Sequence, residues 1–252
     1  MAAKDRLIAI KEKLRAENKV VVSELSNQFQ VTEETIRRDL DKLESEGVLT
    51  RTFGGAVLNH GTHGEGIHFY RRAAIHLTEK KKMAKAFADI LATKFTIAAD
   101  ASSTVMEALK LLPDSSDVTV LTTSTEVFRG LAHTNINVIS TGGIYNKNSL
   151  SLRGQIAMDN IRKYHVDILL ISCKGVDLEM GVTDSNEGEA IIKKVMVEQA
   201  SEVALFADHF KMNKTAFTHF LDLSQIDYLI TDQKPDEEWI RFCEENHIQL
   251  VY

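Results

Sequence analysis

The sequence predicts an α/β protein in two parts: a small N-terminal winged helix-turn-helix and a larger, Rossmann-like part built on a mostly parallel sheet. Three observations predict it. Apolar residues recur at helical spacing between Leu7 and Leu43. From Phe69 onward, short apolar runs alternate with helical stretches. Between them, residues 59–68 hold three glycines and no apolar periodicity, the mark of a linker. The expected division is therefore 1–58, a linker at 59–68, and 69–252.

Composition bounds the problem. The chain has 252 residues, 44% of them hydrophobic and 26% charged, enough for one small and one large globular part. No apolar run reaches the length of a bilayer span, and Met-Ala-Ala-Lys-Asp-Arg lacks the apolar stretch of a signal peptide, so no membrane partner and a cytoplasmic location are expected. Cys173 and Cys243 lie far apart without C-x-x-C spacing and read as small buried hydrophobes. The net charge of −6 is unevenly spread: residues 1–60 carry ten basic and ten acidic side chains, so the acidity belongs to the larger part.

In chain order, Leu7, Ile10 and Leu14 mark a first helix within Arg6–Arg15. Val20-Val21-Val22 then leads into a short helix, Ser23–Phe29. After the tight break Gln30-Val31-Thr32 comes Glu33-Glu34-Thr35-Ile36-Arg37-Arg38-Asp39-Leu40-Asp41-Lys42-Leu43-Glu44. Ile36, Leu40 and Leu43 share one helix face at i, i+4, i+7, and an advance of about 100° per residue puts Arg38 nearly opposite them. Thr32 is the expected N-cap, Glu33 and Glu34 suit the helix dipole, and Gly47 supplies a left-handed stop. Val48–Ala56 follows as a wing. Arg38 is the candidate for reading bases; Arg37 suits either a phosphate or a salt bridge with Asp41. Thr32, Thr35, Arg37, Arg38 and Lys42 on the helix, with Arg51 on the wing, are the residues expected to meet double-stranded DNA.

The pattern Val-Thr-x-x-Thr-Ile-Arg-Arg-Asp-Leu-x-x-Leu-Glu-x-x-Gly-x-Leu-x-Arg-x-x-Gly-Gly-Ala, from Val31 to Ala56, resembles the signature of the DeoR family of bacterial transcriptional regulators. Thr32 stands where that family usually has Ser, and Phe53 where His or Tyr is common. The resemblance implies a winged helix-turn-helix joined to a sensor part that controls DNA binding.

His60, His63 and His68 fall in the glycine-rich linker, where no preorganised geometry and no neighbouring Cys or carboxylate cluster supports a metal, so none is expected. Beyond it, Phe95–Ala99, Val118–Leu121, Asn137–Ser140, Ile168–Ile171, Val203–Ala207 and Tyr228–Thr231 read as strands. Helical stretches separate several of them, notably Glu187–Gln199, with Ala190, Ile191, Lys194 and Val195 clustered at helical spacing.

In such folds ligands sit at the carboxyl ends of the strands. Here those ends are Asp100-Ala101-Ser102-Ser103-Thr104, Thr122-Thr123-Ser124, Thr141-Gly142-Gly143 and Asp208-His209-Phe210-Lys211. Hydroxyl side chains and exposed backbone N–H groups suit a phosphate oxygen, and Lys211 offers a countercharge. The same residues also serve as helix caps and loop braces. These ends resemble the sensor part of the DeoR family, similar in fold to ribose-5-phosphate isomerase, glucosamine-6-phosphate deaminase and CoA transferases; Thr123 and Phe210 replace the family's Asn and Ser. The resemblance implies a small phosphorylated sugar as effector, met by Asp100, Ser102, Ser103, Thr104, Thr122, Thr123, Gly142, Gly143, Lys174 and Lys211. Lys174-Gly175 and the acidic loop Asp184–Glu187 are expected to choose among sugars.

Three readings follow. The first is a repressor of carbohydrate-metabolism genes that needs no cofactor, is controlled by a phosphorylated sugar, and acts as a dimer or tetramer because a neutral head binds DNA modestly alone. The second is an isomerase or deaminase with an accessory head, but no Asp-Gly-Ala-Asp-Glu run is present, and Lys174 with Asp177 is a weak acid–base pair. The third is a regulator whose larger part only docks proteins, against which the Asp100–Thr104 loop argues.

Overall fold

The computed structural model describes residues 3–17, 19–45, 49–52, 54–58 and 69–252. It divides into two compact units, Met1–Ile75 and His76–Tyr252. The expected linker 59–68, with its three histidines, lies outside the described residues, as do Gly47 and Phe53. The division falls beyond that linker: Phe69–Ala74 goes with the first unit rather than opening the second.

The first unit runs α1 (Ala3–Glu17), β1 (Lys19–Val21), α2 (Val22–Phe29), α3 (Glu33–Ser45), β2 (Leu49–Thr52), β3 (Gly55–Leu58) and α4 (Phe69–Ala74). The tight α2–α3 turn is held by Ser26, whose hydroxyl donates to the Val31 carbonyl at 2.6 Å while Val31 N–H donates to the Ser26 carbonyl at 3.2 Å. Thr32 caps α3 as expected, its Oγ1 accepting from Thr35 N–H at 3.3 Å. Ile36, Leu40 and Leu43 are fully buried with Ile10, Leu14, Leu25 and Leu49, so the helical periodicity found the core. The wing, β2 and β3, joins β1 in an antiparallel sheet of order β1-β3-β2. Gly55 is required there because a Cβ would lie 2.1 Å from the Val20 carbonyl oxygen. Under this core lies an ion pair that the sequence did not announce, the buried Arg6 guanidinium gripping the Asp39 carboxylate of α3 with two hydrogen bonds.

The second unit begins with α5 (Leu77–Leu91), β4 (Thr96–Ala99), α6 (Ser103–Leu109), β5 (Thr119–Thr122), α7 (Thr125–Gly130) and β6 (Asn137–Ser140). A hairpin, β7 (Ile144–Asn146) and β8 (Ser151–Arg153), and α8 (Gln155–Ile161) lead to β9 (Val166–Ser172). Then come β10 (Gly175–Asp177), β11 (Gly181–Asp184), α9 (Glu187–Val197), β12 (Ala200–Phe206), β13 (Thr218–Leu221), β14 (Tyr228–Ile230), α10 (Glu237–Glu245) and β15 (Gln249–Val251).

Seven strands form one parallel sheet of order β15-β14-β12-β9-β4-β5-β6. Its centre explains the continuous apolar runs: Ile168 to Ile171 and Ala204 to Phe206 have no exposed surface, since both faces are covered. From β4 the chain steps outward to β5 and β6, then returns to β9 on the other side of β4 and continues outward. The carboxyl ends of β4 and β9 therefore flank a topological switch point.

Two expectations are corrected. The antiparallel sheet β10-β11-β13 was not foreseen, and it absorbs part of the expected acidic loop: Asp184 ends β11, Asn186 caps α9 and Glu187 begins it. On α9 the buried face is Ala190, Ile192, Lys193, Val195 and Met196, whereas Ile191 is 45% exposed, because the helix packs a lysine inward on acids that the sequence could not place beside it. Both cysteines are free and buried. Among the described residues no helix is long and apolar enough to cross a membrane, and no group of three or more His, Cys, Asp and Glu is placed to hold a metal.

Candidate functional site

On the first unit, α3 presents the face opposite its buried stripe. The Arg38 side chain is 78% exposed and, among the described residues, pairs with Glu34, one turn back, at 3.3 Å. Such an exposed i,i+4 pair is worth about 0.3–0.5 kcal/mol, too little to hold the guanidinium back from a phosphate or a base edge. Arg37 pairs with Glu33 at 2.6 Å and not with Asp41. Asp41 is taken by Arg51, which also donates to the Arg37 carbonyl at 3.0 Å, while its own N–H goes to Glu44 at 2.6 Å. Arg51 thus stitches the wing to α3, a bracing part that the sequence did not suggest. Thr35 shares a 2.9 Å hydrogen bond with Thr32, and Lys42 lies exposed further along α3.

In the second unit the strand ends converge around Asp100, which follows β4 and is 2% exposed. Its Oδ1 accepts from Ser102 N–H at 2.9 Å and its Oδ2 from Ser172 N–H, at the end of β9, at 3.1 Å. The buried Lys193 adds its charge at 3.3 Å. Asp100 is therefore a bracket between the two loops at the switch point. Lys193 also donates to Asp184 at 2.6 Å and to the Ser172 carbonyl at 2.6 Å. Burial pushes the Lys193 ammonium down, but the charges of Asp184 and Asp100 outweigh it and hold it above the ordinary lysine value. Burial likewise pushes Asp184 up, and Lys193 overcomes this, with help from the Lys174 charge, to hold the carboxyl below its ordinary range.

Two ammonium–hydroxyl pairs stand on this bracket. Lys80 of α5, buried, donates to Ser103 Oγ at 3.1 Å at the start of α6, directly after the β4 loop. Lys211, in the loop after β12, donates to Ser172 Oγ at 2.9 Å at the end of β9. The expected countercharge at Lys211 thus stands by β9 and β12, and the cation beside Ser103 is Lys80. The sequence missed Lys80, Lys193 and Ser172. Lys80 lies in the run Glu79-Lys80-Lys81-Lys82 and Lys193 beside Lys194, and only tertiary contact turns one lysine of each run inward.

The remaining expected residues differ in what they do. Ser102 Oγ accepts from Val105 N–H at 3.1 Å and caps α6; Thr104 and Thr123 are buried. Thr122 Oγ1 is used twice in the fold, donating to the Ala99 carbonyl at 2.8 Å and accepting from Ser124 N–H at 3.0 Å. Gly142 and Gly143 have positive φ, and a Cβ on Gly143 would lie 2.6 Å from the Arg153 carbonyl oxygen, so close packing demands glycine there. Asp208, 1% exposed, has no hydrogen-bond donor to either carboxylate oxygen among the described residues.

Comparison with known proteins bears on both units. Residues 6–62 match the DeoR-like helix-turn-helix domain, and residues 75–233 match the DeoR C terminal sensor domain. The uncharacterized HTH-type transcriptional regulator YulB of Bacillus subtilis is 39% identical over all of this chain and 97% of its own length. The HTH-type transcriptional repressor GlcR of the same organism is 32% identical over 100% of this chain and 96% of its own. The L-fucose operon activator of Haemophilus influenzae is 34% identical over 93% of this chain and 94% of its own. These relatives are regulators of transcription and not enzymes.

Proposed function

Because the chain belongs to the DeoR family of transcriptional regulators, we propose that it represses carbohydrate-metabolism genes by binding operator DNA through α3 and is controlled by a phosphorylated sugar held at the strand ends of its second unit. Arg38 reads bases, while Thr32, Thr35, Arg37 and Lys42 meet the backbone. The observation that carries the effector half is the pair of lysine–serine contacts, Lys80 with Ser103 and Lys211 with Ser172, on either side of the β4/β9 switch point. The Lys80 and Lys211 ammonium groups and the Ser103 hydroxyl offer an anion several hydrogen bonds, while the Ser172 hydroxyl, which donates to the Phe206 carbonyl at 2.7 Å, positions Lys211. Thr104, Thr123 and Lys174 line the remainder of the site.

The relatives include both a repressor and an activator, GlcR and the L-fucose operon activator. Repression is favoured by GlcR, whose match reaches from end to end of this chain. With a neutral first unit, useful affinity requires two heads on repeated half-sites, so the protein works in the cytoplasm as a dimer or tetramer, and its binding weakens steeply with salt.

The test is fluorescence anisotropy of the full-length protein on a duplex from the region upstream of its own gene, against a scrambled duplex, with phosphorylated and unphosphorylated sugars added. Preference for the native duplex, changed by one phosphorylated sugar and not by its parent sugar, is the expected result. Equal affinity for both duplexes sinks the operator reading. Light scattering that finds only a monomer at micromolar concentration, with and without DNA, sinks the assembly.

A further inference from the structure

We propose that two copies of this chain join through β7: its open edge pairs antiparallel with β7 of a second copy, extending the hairpin β7-β8 into one four-stranded sheet across a two-fold axis. The proposal rests on the protein assembling from two or more copies, and it names the face that joins them.

The two edges of the hairpin differ. β8 is paired on one side with β7, where Ile144 stands opposite Arg153, Tyr145 opposite Leu152 and Asn146 opposite Ser151. On its other side it meets the residues after β5, where Leu152 N–H donates to the Thr123 carbonyl at 2.7 Å and Ser151 bridges to Ser124. Among the described residues β7 pairs with β8 alone. The backbone groups on its far side are a template for another strand. The support is braced. The Leu150 carbonyl accepts from Thr125 N–H at 2.9 Å and from its hydroxyl at 3.1 Å, and Glu189 accepts from the hydroxyls of Ser149 at 2.7 Å and Ser151 at 2.6 Å. A mate therefore meets an ordered edge, which keeps the entropy cost of pairing small.

What surrounds that edge is apolar and uncharged. Ile144 is 67% exposed, Tyr145 51% and Ile156, at the start of α8, 62%. Gly142 and Gly154 bound the hairpin, and these isoleucines stand against their bare backbone: a Cβ on Gly154 would lie 3.3 Å from Ile144 Cδ1, and one on Gly142 4.0 Å from Ile156 Cγ2. Residues 130–146 contain no Lys, Arg, Asp or Glu, in a chain that is 26% charged. Edge strands that stay solitary are guarded by charge or proline, and β7, Ile-Tyr-Asn, carries neither.

The same features choose the occupant. A chain of net charge −6 repels its own copy, and an uncharged edge is where two copies approach most easily. The backbone of an antiparallel strand is complementary to itself under a two-fold axis, so a second copy fits without any other shape being required, and the contact closes at two. Side chains alternate along β7, so Ile144 and Tyr145 pack against their counterparts on opposite faces of the joined sheet.

The experiment uses the full-length protein carrying Ile144→Cys, Tyr145→Cys or Asn146→Cys under mild oxidation. A two-fold antiparallel pair sets one residue opposite its own copy, at a Cα separation of about 4.5–5.5 Å that a disulfide spans. Cys173 and Cys243 are buried, which leaves the introduced thiol as the exposed one. One of the three variants is expected to form a covalent dimer on a non-reducing gel, while Phe217→Cys, at a residue 89% exposed, stays single. Ile144→Glu is expected to halve the mass seen by light scattering, to keep the circular dichroism of the wild type, and to weaken operator binding ~100-fold or more as the second head is lost.

A wild type that scatters as a monomer removes the assembly, and this surface with it. A wild-type oligomer in which none of the three cysteines crosslinks, or in which Phe217→Cys crosslinks as fast as they do, overturns the proposal alone and leaves the assembly to another face. Wild-type mass in a folded Ile144→Glu overturns it equally. If Ile144→Glu does not fold, the cysteine variants decide.

Discussion

Lys193 Nζ lies 2.6 Å from Asp184 Oδ2 where both side chains are more than nine-tenths buried, so α9 is tied to the end of β11 by an ion pair shielded from water. Replacing Lys193 with Met should cost ~3–5 kcal/mol, because Asp184 and Asp100 would keep their charge in a place that no longer compensates it. Chemical denaturation of the full chain measures this. A loss below about 1 kcal/mol, the worth of an exposed pair, would mean that the site is wetter than its geometry.

The same pair has a pH signature. Asp184 is held below the ordinary carboxyl value, so its contribution is present at neutral pH and is lost as pH falls below about 3.9 toward its lower folded value. Lys193 is held above the ordinary lysine value, so its contribution is full below about 10.4 and is lost as pH rises beyond it. Melting temperature should therefore be insensitive to this pair across neutral pH. In Lys193→Met, Asp184 keeps the burial that raises its carboxyl and loses the lysine that lowers it, so melting should rise as pH is lowered from 7 to 5. A flat profile for the variant would remove the pair from the stability account.

Arg38→Ala should weaken operator binding by ~1–3 kcal/mol and leave melting unchanged, since the side chain is 78% exposed and its pair with Glu34 is a weak surface pair. Unaltered anisotropy titrations would withdraw α3 as the reading helix.

Ile36→Ala and Asp39→Ala act on the same helix from its inner side and should do the reverse. Ile36 has no exposed surface, and its truncation should cost ~2–5 kcal/mol. Removing Asp39 leaves the Arg6 guanidinium buried without its bidentate partner, a loss of ~3–5 kcal/mol. Circular dichroism of the first unit would show the loss of structure, and a stable Asp39→Ala unit would show that Arg6 finds water.

Lys80→Ala and Lys211→Ala should each abolish the melting shift produced by a phosphorylated sugar, a stabilisation of about 2.7 kcal/mol at a hundredfold excess over the dissociation constant. Calorimetry on the two variants checks it. If both respond with wild-type sensitivity, the anion is held elsewhere on the second unit.

The features legible in the sequence are those that a short stretch of backbone decides alone. Ile36, Leu40 and Leu43 share a face because a helix turns about 100° per residue whatever surrounds it, and Ile168–Ile171 reads as a central strand because burial on both faces selects an unbroken apolar run. The loops after β4 and β12 were visible for the same reason, since hydroxyl and acidic residues directly follow such runs. The inward turn of Lys80 and Lys193 was not, because each lies in a run of like charges and its partner is 23 residues away for Lys80 and 9 for Lys193. The sheet β10-β11-β13 escaped because three- and four-residue strands carry too little alternation to stand out from loop. That Asp100 braces two loops is likewise decided by its donors, one of which, Ser172 N–H, lies 72 residues away. Hydrogen-bond satisfaction is a property of three-dimensional neighbourhoods, and only the folded chain settles it.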